Sequence, residues 1–468
     1  MGKRHLSFLE ASVYFFLPWL DSPLFPGNSY TRPFSLCLVF IWFIVSPKKV
    51  FRGIREGVCC PPFLLYTIFV FWMAVAALGL ALTGPQISLS TLLGEVSLRA
   101  SAMNAAMNVI AGYAFFIFVI ATADNDEKWR RIFFLVKMSA VIVFGFALIQ
   151  YAAIKLGGSL EAAVIDILNY TNFRGRLGHG KPFGLMPEGS FLGDYFATLI
   201  LPISLARALF GGSFRNESGV SKRRLSDVLF ILGSLLIIIL ASSRVGLLAA
   251  AAMAVVCAGL LGSVRLDVLS RRWTLIAAVT LAVSAFIVGY RDELKDVLST
   301  FTTPSQWEAN NLISNTTRAA GMQAALDMGR TRLMGVGPGA YPFYYALYVP
   351  DWALWNPEVA EYLDGRSVQL PNPKGLLPRI LAELGIMPTL IYLAFAVVML
   401  KRCACATRRS HIHPDLGAIG LLALTSVFIS SISTDTFIFC HYYVVFGLAC
   451  WIGRRARQQP KICEIRAE

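Results

Sequence analysis

The sequence predicts an all-α, polytopic membrane protein of about twelve transmembrane helices, with one large loop outside the cytoplasm that contains short helices. Three observations predict this. Apolar residues fill 56% of the 468 positions and charged residues only 15%, with mean hydropathy +0.61, a balance that soluble domains rarely reach. Apolar runs of the roughly 17–25 residues needed to cross a bilayer recur along the chain. The net charge of +14 is divided among short segments between those runs. It does not form the basic face that nucleic-acid binding requires, so no nucleic-acid partner is expected.

The runs lie near 6–20, 33–47, 61–83, 104–123, 132–155, 190–210, 226–241, 245–262, 273–290, 376–400, 416–434 and 436–453. Alternate connections are basic: Lys48, Lys49, Arg52 and Arg55; Lys128, Arg130 and Arg131; Lys222, Arg223 and Arg224; Arg265, Arg271 and Arg272; Lys401, Arg402, Arg408 and Arg409. Lys3 and Arg4 begin the chain, and Arg454, Arg455 and Arg457 follow the last run. Lys and Arg concentrate in cytoplasmic loops, so these segments and both termini are expected in the cytoplasm. The intervening connections then face outward. They are about 85–103, a smaller loop at 156–189, the Ser242-Ser243-Arg244 turn, and the large loop 291–374 between the ninth and tenth spans. The chain reads as one integral-membrane domain over 1–468.

Several function classes drop out. Residues 1–20 have an apolar run without a small-residue cleavage site, and further spans follow, so no cleavable signal is expected. None of the nine cysteines falls in the three longer outer segments, which argues against a disulfide framework. Cys403, Cys405, His411 and His413 sit in a basic loop without finger-like spacing, so no metal is expected there. Gly335-Val336-Gly337-Pro338-Gly339 lacks the lysine and hydroxyl of a nucleotide loop, and no cofactor is expected. Neither a fixed-period repeat nor a pair of matching halves with broken helices, the mark of a secondary transporter, is present.

The candidate chemistry lies in the outward segments. Arg244 follows Ser242 and Ser243 where a helix begins, so free N–H groups, the helix dipole and a planar guanidinium converge as they do at phosphate sites. Lipid-headgroup contact is the alternative. Asn315-Thr316-Thr317 offers N-caps for a short helix opened by Arg318 and stopped at Gly329. A cation at a helix start is unfavourable without an anion, whereas Arg330 and Arg332 suit a helix end. Arg174, Arg176 and Lys181 sit on a glycine-rich stretch before a span, with Glu188 and Ser190 at its entry. Arg379 and Glu383 are four apart in the tenth span, as an internal pair or as cavity groups. Pro373, Pro378 and Pro388 predict an irregular entry to that span. The aromatics from Tyr341 to Trp355 fit an interfacial belt or a sugar-stacking surface. Asp435, His441 and Tyr442 are weaker cavity candidates.

Together these motifs resemble the O-antigen polymerase and ligase family over roughly 170–400. Ser243-Arg244-Val245-Gly246 is similar to its arginine at a helix start. Thr317-Arg318-Ala319 through Gly335-Val336-Gly337-Pro338-Gly339-Ala340-Tyr341 is similar to its arginine-led helix and Gly-x-Gly turn. Lys181-Pro182-Phe183-Gly184 with Pro187-Glu188-Gly189-Ser190 resembles its Arg-Pro-x-Gly…Glu-Pro-Ser element. Pro371-Asn372 followed by Glu383-Leu384-Gly385 resembles its His-Asn and Glu-Leu-Gly stretch. Pro371 stands where ligases carry a histidine, and Lys181 where arginine is usual.

The resemblance implies a glycosyltransferase of the bacterial inner membrane, with its active site facing the periplasm. It would polymerise undecaprenyl-diphosphate-linked repeat units of O-antigen, capsule or exopolysaccharide by inverting transfer. It implies diphosphate contacts from Arg244, Arg318, Arg176, Lys181 and Arg379, and a catalytic role for Arg318. Glu188, then Glu383, would be the base, with Asn372 and Tyr341 supporting the acceptor. Membrane lipids and a chain-length regulator are the expected partners. The rival readings are a ligase acting on lipid A core or protein, and a transporter or flippase of a lipid-linked sugar.

Overall fold

A computed structural model describes residues 5–20, 33–92, 94–170, 180–210, 217–262, 306–367, 369–409 and 414–465. The expected span at 273–290, the first part of the large loop, and Arg174, Arg176, His411 and His413 lie outside the described residues. The described chain is nearly all helical. In order it forms α1 (Phe8–Phe15), α2 (Phe34–Val45), α3 (Pro47–Val58), α4 (Pro61–Thr83), α5 (Leu98–Thr122), α6 (Asp126–Leu156) and α7 (Gly158–Tyr170). Then come α8 (Gly189–Tyr195), a π-helical turn Phe196–Ile200, α9 (Leu201–Phe210), α10 (Glu217–Leu240) and α11 (Arg244–Gly262). After the undescribed stretch follow α12 (Gln306–Thr331), α13 (Tyr341–Tyr348), α14 (Pro357–Leu363), α15 (Leu376–Leu384), α16 (Ile386–Arg409), α17 (Pro414–Ser430) and α18 (Cys440–Ile465). A two-stranded antiparallel hairpin, β1 (Ser88–Thr91) and β2 (Gly94–Ser97), pairs Ser88 with Ser97. It is a departure from the all-α expectation.

Among the described residues five helical units are long and apolar enough to cross a membrane, α4, α5, α6, the α8–α9 unit and Ile386–Thr407, or six if the bent pair α2–α3 is one span. Shorter apolar helices cover Leu225–Leu240, Arg244–Leu260 and Asp415–Ser430. The count of twelve is not reached among the described residues, for local reasons. The first expected span is an eight-residue helix closed by a capping box between Ser7 and Glu10. The second ends at Val45, and the chain bends by 103° into α3. That helix carries Lys48, Lys49, Arg52 and Arg55 where a loop was expected. It lays Gly53 against Ala121 and Gly57 against Phe63. The tenth span is broken between α15 and α16 at Gly385, the irregular entry that the prolines predict.

The bundle core is aromatic. Phe63, Tyr66 and Phe69 of α4 meet Phe116 of α5, Phe395 of α16 and Tyr443 and Phe446 of α18. Two of the buried hydroxyls satisfy each other, Tyr66 Oη to Tyr443 Oη at 2.8 Å, and Tyr443 donates onward to the Phe437 carbonyl. A second core, built from Leu98, Ala320, Ala324, Met328, Val336, Tyr341, Tyr345 and Ala382, ties the large loop to the ends of α5 and α15.

α12 differs from the expectation. It runs through Arg318 and ends at Thr331, so Arg318 is mid-helix and the argument from a cation at a helix start does not hold. Gly329 lies inside the helix, where a Cβ would meet Leu381 Cγ at 2.4 Å. It permits close packing on α15 and does not stop the helix.

The glycine turn is a splice between the loop and the broken span. Val336 N donates to Ala382 O and Gly337 N to Glu383 O, both at 2.8 Å, and Ile386 N returns to Leu333 O at 3.0 Å. Gly385 has φ 84°, and a Cβ there would lie 2.1 Å from Leu333 O. Gly385→Ala is expected to lower stability by about 2 kcal/mol or more, since it adds left-handed strain to a backbone clash. Gly145→Ala in α6, with nothing within 4 Å of the added carbon, should be neutral or stabilising by up to about 1 kcal/mol. Thermal unfolding of both variants in detergent checks the contrast.

Candidate functional site: a cationic cluster at one end of the bundle

Three of the expected residues, Lys181, Arg244 and Arg318, come from separate segments into electrostatic reach of one another in sequence, Lys181 of Arg244 and Arg244 of Arg318. Arg244 is the first residue of α11. The turn before it is held by Ser242 at φ 49° and by Ser243 Oγ, which accepts from Gly246 N at 3.2 Å and donates to Ser190 O at 3.5 Å. Ser243 also packs on Gly193, where a Cβ would come within 2.2 Å of the serine Cβ. The Arg244 turn and the start of α8 are thereby one unit. Arg244 Nη1 reaches across to Asn315 Oδ1 of α12 at 3.1 Å. Asn315 is one helical turn before Arg318 on the same face, and the charges of Arg244 and Arg318 act on each other.

Lys181 and Glu188 come from the segment before α8. Glu188 takes the N-cap position of α8 in extended conformation, and Ser190 Oγ donates to its Oε2 at 2.9 Å. Lys181 lies within the electrostatic reach of both Arg244 and Glu188. Gln150 fixes this segment. Fully buried on α6, its Oε1 accepts from Phe183 N at 2.9 Å and Gly184 N at 2.7 Å, and its Nε2 donates to Gly184 O at 3.0 Å. Sequence reading missed it, because a single glutamine in an apolar run carries no signal of which backbone it will hold.

Lys374 was missed as well. It sits in the Pro371-Asn372-Pro373 turn, its Nζ 3.4 Å from Tyr362 Oη and 3.9 Å from Glu358 Oε1. Burial, followed by the Arg318 charge, draws its amine below the ordinary lysine range, and Glu358, Asp435 and Glu188 act in the opposite sense. Lys181, Arg244, Arg318 and Lys374 therefore form a cluster in which each cation acts on the next, and Glu188 acts on Lys181 and Lys374. Asn356 braces the far side. It caps α14 by accepting from Glu358 N and Val359 N, and it donates to Ile313 O of α12.

Other expected residues are accounted for structurally. Arg379 and Glu383 pair with each other at 3.3 Å, and Arg379 Nη1 donates to Asp435 O at 2.7 Å. The Gly339 amide also serves the buried Glu383 carboxylate. This pairing locks α15 to the glycine turn and to the loop before α18. Of the two readings of this spacing, internal pair or cavity groups, the geometry shows the internal pair. Tyr341 is buried, with its hydroxyl donated to Gly321 O at 2.8 Å, so it does not offer its ring to an acceptor. Tyr345 is buried too, while Trp355 is 59% exposed. The aromatic stretch is thus part core and part surface. Asn372 Oδ1 accepts from Lys374 N at 3.2 Å and shapes the turn. His441 and Tyr442 both contact buried Asp194 Oδ2, at 3.1 and 2.9 Å, under the start of the π-helical turn.

Gln150→Leu should lower stability by about 3 kcal/mol, because it strands three backbone groups. It should also expose the 181–188 segment to proteolysis. Limited proteolysis with mass mapping of that segment checks this.

Comparison with known proteins agrees with the motifs. Residues 229–365 match the family model described as O-Antigen ligase, a stretch that contains Arg244, Arg318 and the glycine turn. No curated protein matches the chain. The match lies within the stretch 170–400 whose motifs resemble the O-antigen polymerase and ligase family, and over 229–365 the chain is similar to that family's O-antigen ligase model.

Proposed function

We propose that the protein is a polymerase of undecaprenyl-diphosphate-linked oligosaccharide repeat units, working by inverting glycosyl transfer on the periplasmic face of the inner membrane. The observation that carries this reading is the convergence of Lys181, Arg244 and Arg318 from three segments, with Glu188 beside them. Like charges brought together are costly unless an anion joins them, and a lipid-linked sugar diphosphate is such an anion. Arg176 belongs to the same proposal as a further diphosphate contact.

In the reaction a hydroxyl oxygen of the incoming unit bonds to the anomeric carbon of the donor. The bond from that carbon to the diphosphate oxygen breaks on the opposite face, and undecaprenyl diphosphate leaves with the electron pair. Arg244 and Arg318 hold the diphosphate, and their charge stabilises the oxygen on which negative charge grows. Lys181 takes a second phosphate edge. Glu188 accepts the proton of the attacking hydroxyl. It stands at the helix start with the Ser190 hydroxyl on one oxygen, and its charge acts on Lys181 and Lys374. The activated leaving group supplies the driving force, so no nucleotide is consumed. Arg379 and Glu383 act at a distance by keeping the glycine turn in place.

Transfer of finished polymer to lipid A core is the second reading, favoured by the similarity of 229–365 to an O-antigen ligase family model. Buried Pro371 occupies the place of the ligase histidine, and this supports polymerisation. Purified protein with a defined undecaprenyl-diphosphate oligosaccharide should yield a product ladder. Arg244→Ala and Arg318→Ala should each reduce it by about 100-fold or more, the scale expected for loss of a charge-stabilising donor. Transfer only to an added lipid A core acceptor would move the assignment to ligase. Absence of any transfer with authentic substrate would move it to a transporter or an assembly partner.

A further inference from the structure

We propose that Lys374 is a further contact for the substrate diphosphate, parked on Tyr362 and Glu358 until the anion arrives, with Glu358 competing for it. This rests on the cluster being a diphosphate site. Four observations lead to it, and the first is backbone strain. Among the described residues only Ser242 and Lys374 are non-glycine residues with positive φ, at 49° and 56°. Both flank the cluster, Ser242 two positions before Arg244. Left-handed backbone favours glycine, and strained residues gather where function demands them. A turn built only for connection would accept glycine at 374.

The second observation is the way the turn is pinned. Lys374 N is held by Asn372 Oδ1, Leu376 N by Ser431 O at 2.9 Å, and a Cβ on Gly375 would lie 2.8 Å from Ile432 O. The lysine is therefore presented from a fixed base. Third, its ammonium is underused. The side chain is 18% exposed, yet among the described residues Nζ makes one hydrogen bond, a long one of 3.4 Å to Tyr362 Oη. The Glu358 carboxylate stands 3.9 Å away, beyond hydrogen-bond length. An ammonium has three protons to place. Tyr362 in turn donates to Glu358 Oε1 at 3.0 Å, so the resting partners are already satisfied by each other.

The fourth observation is position. The charged groups acting on Lys374 are Glu358, Arg318, Asp435 and Glu188. Of these, Asp435 is bound up with Arg379. Lys374 packs against the helix that carries Arg318: its Cγ lies 3.8 Å from where a Cβ on Gly321 would sit, one turn after that arginine, and the Glu188 charge also reaches it. A phosphate oxygen arriving there offers the ammonium a short, charge-assisted bond in place of its long contacts to the Tyr362 hydroxyl, the Tyr362 ring at 5.9 Å and Glu358, and Lys374 shifts from Glu358 to the anion.

The test measures binding of inorganic pyrophosphate to the full-length protein in detergent by calorimetry, alongside melting temperature and the polymerisation ladder. Lys374→Gly relaxes the strained backbone, so melting temperature should hold or rise. Pyrophosphate binding should weaken about tenfold and the ladder shorten. Lys374→Arg should restore binding to within about threefold. Glu358→Gln, which removes the competitor but keeps the Tyr362 contact, should tighten pyrophosphate binding about threefold. A purely structural ion pair predicts the reverse pattern, with both single variants melting earlier and binding unchanged. Unchanged affinity in Lys374→Gly, or weaker affinity in Glu358→Gln, overturns the proposal and leaves the site assignment standing. If the wild-type protein fails to bind pyrophosphate, or Arg244→Ala binds it undiminished, the proposal and the site assignment fall together.

Discussion

Electrostatic repulsion is the constraint around which this end of the molecule is arranged. Lys181 acts on Arg244, Arg244 on Arg318 and Arg318 on Lys374, and nothing in their own chemistry favours such a chain of like charges. The fold must hold them there. The Ser243 turn is welded to Gly193 of α8, Gln150 clamps the segment bearing Lys181, and Asn356 staples α14 to α12. Each device is a neutral hydrogen bond or a close backbone packing. The geometry therefore persists whatever charge enters or leaves, which is what preorganised electrostatic catalysis requires.

The glycine turn performs the corresponding service for the loop as a whole. Its amides pair with the carbonyls freed where α15 ends, and the returning Ile386 amide closes the exchange. A break between two helices would ordinarily strand those groups. Here the break is satisfied by the glycine turn at 333–337, so the loop and the helices hold each other in register. The Arg379–Glu383 pair sits at this joint with Asp435. The cost of its buried charges secures a precise junction, and that is a sufficient role for both residues.

The sequence revealed some of this and concealed the rest for physical reasons. Apolar runs and basic connections were enough to indicate a helical membrane protein. They could not show that Ser46-Pro47 turns the chain into α3, because composition does not encode where an apolar run bends. The Ser-Arg signature at 243–244 was legible, since a cap and a helix start are local. Arg318 was picked out by its motif but placed wrongly, because Asn315-Thr316-Thr317 reads as a cap and in fact lies inside α12. Tertiary packing of Ala320, Ala324 and Met328 outweighs that local preference. Gln150 and Lys374 were invisible. One acts on backbone more than thirty positions away, and the other depends on a left-handed turn between prolines.

The central claim is that these cations share one anion. A double-mutant cycle on undecaprenyl diphosphate binding, using Lys181→Ala, Arg318→Ala and the pair, tests it most directly. Groups that hold the same diphosphate lose affinity non-additively, with a coupling of about 1 kcal/mol or more. Additivity within about 0.5 kcal/mol would mean that the two residues act on separate partners, and would contradict the account.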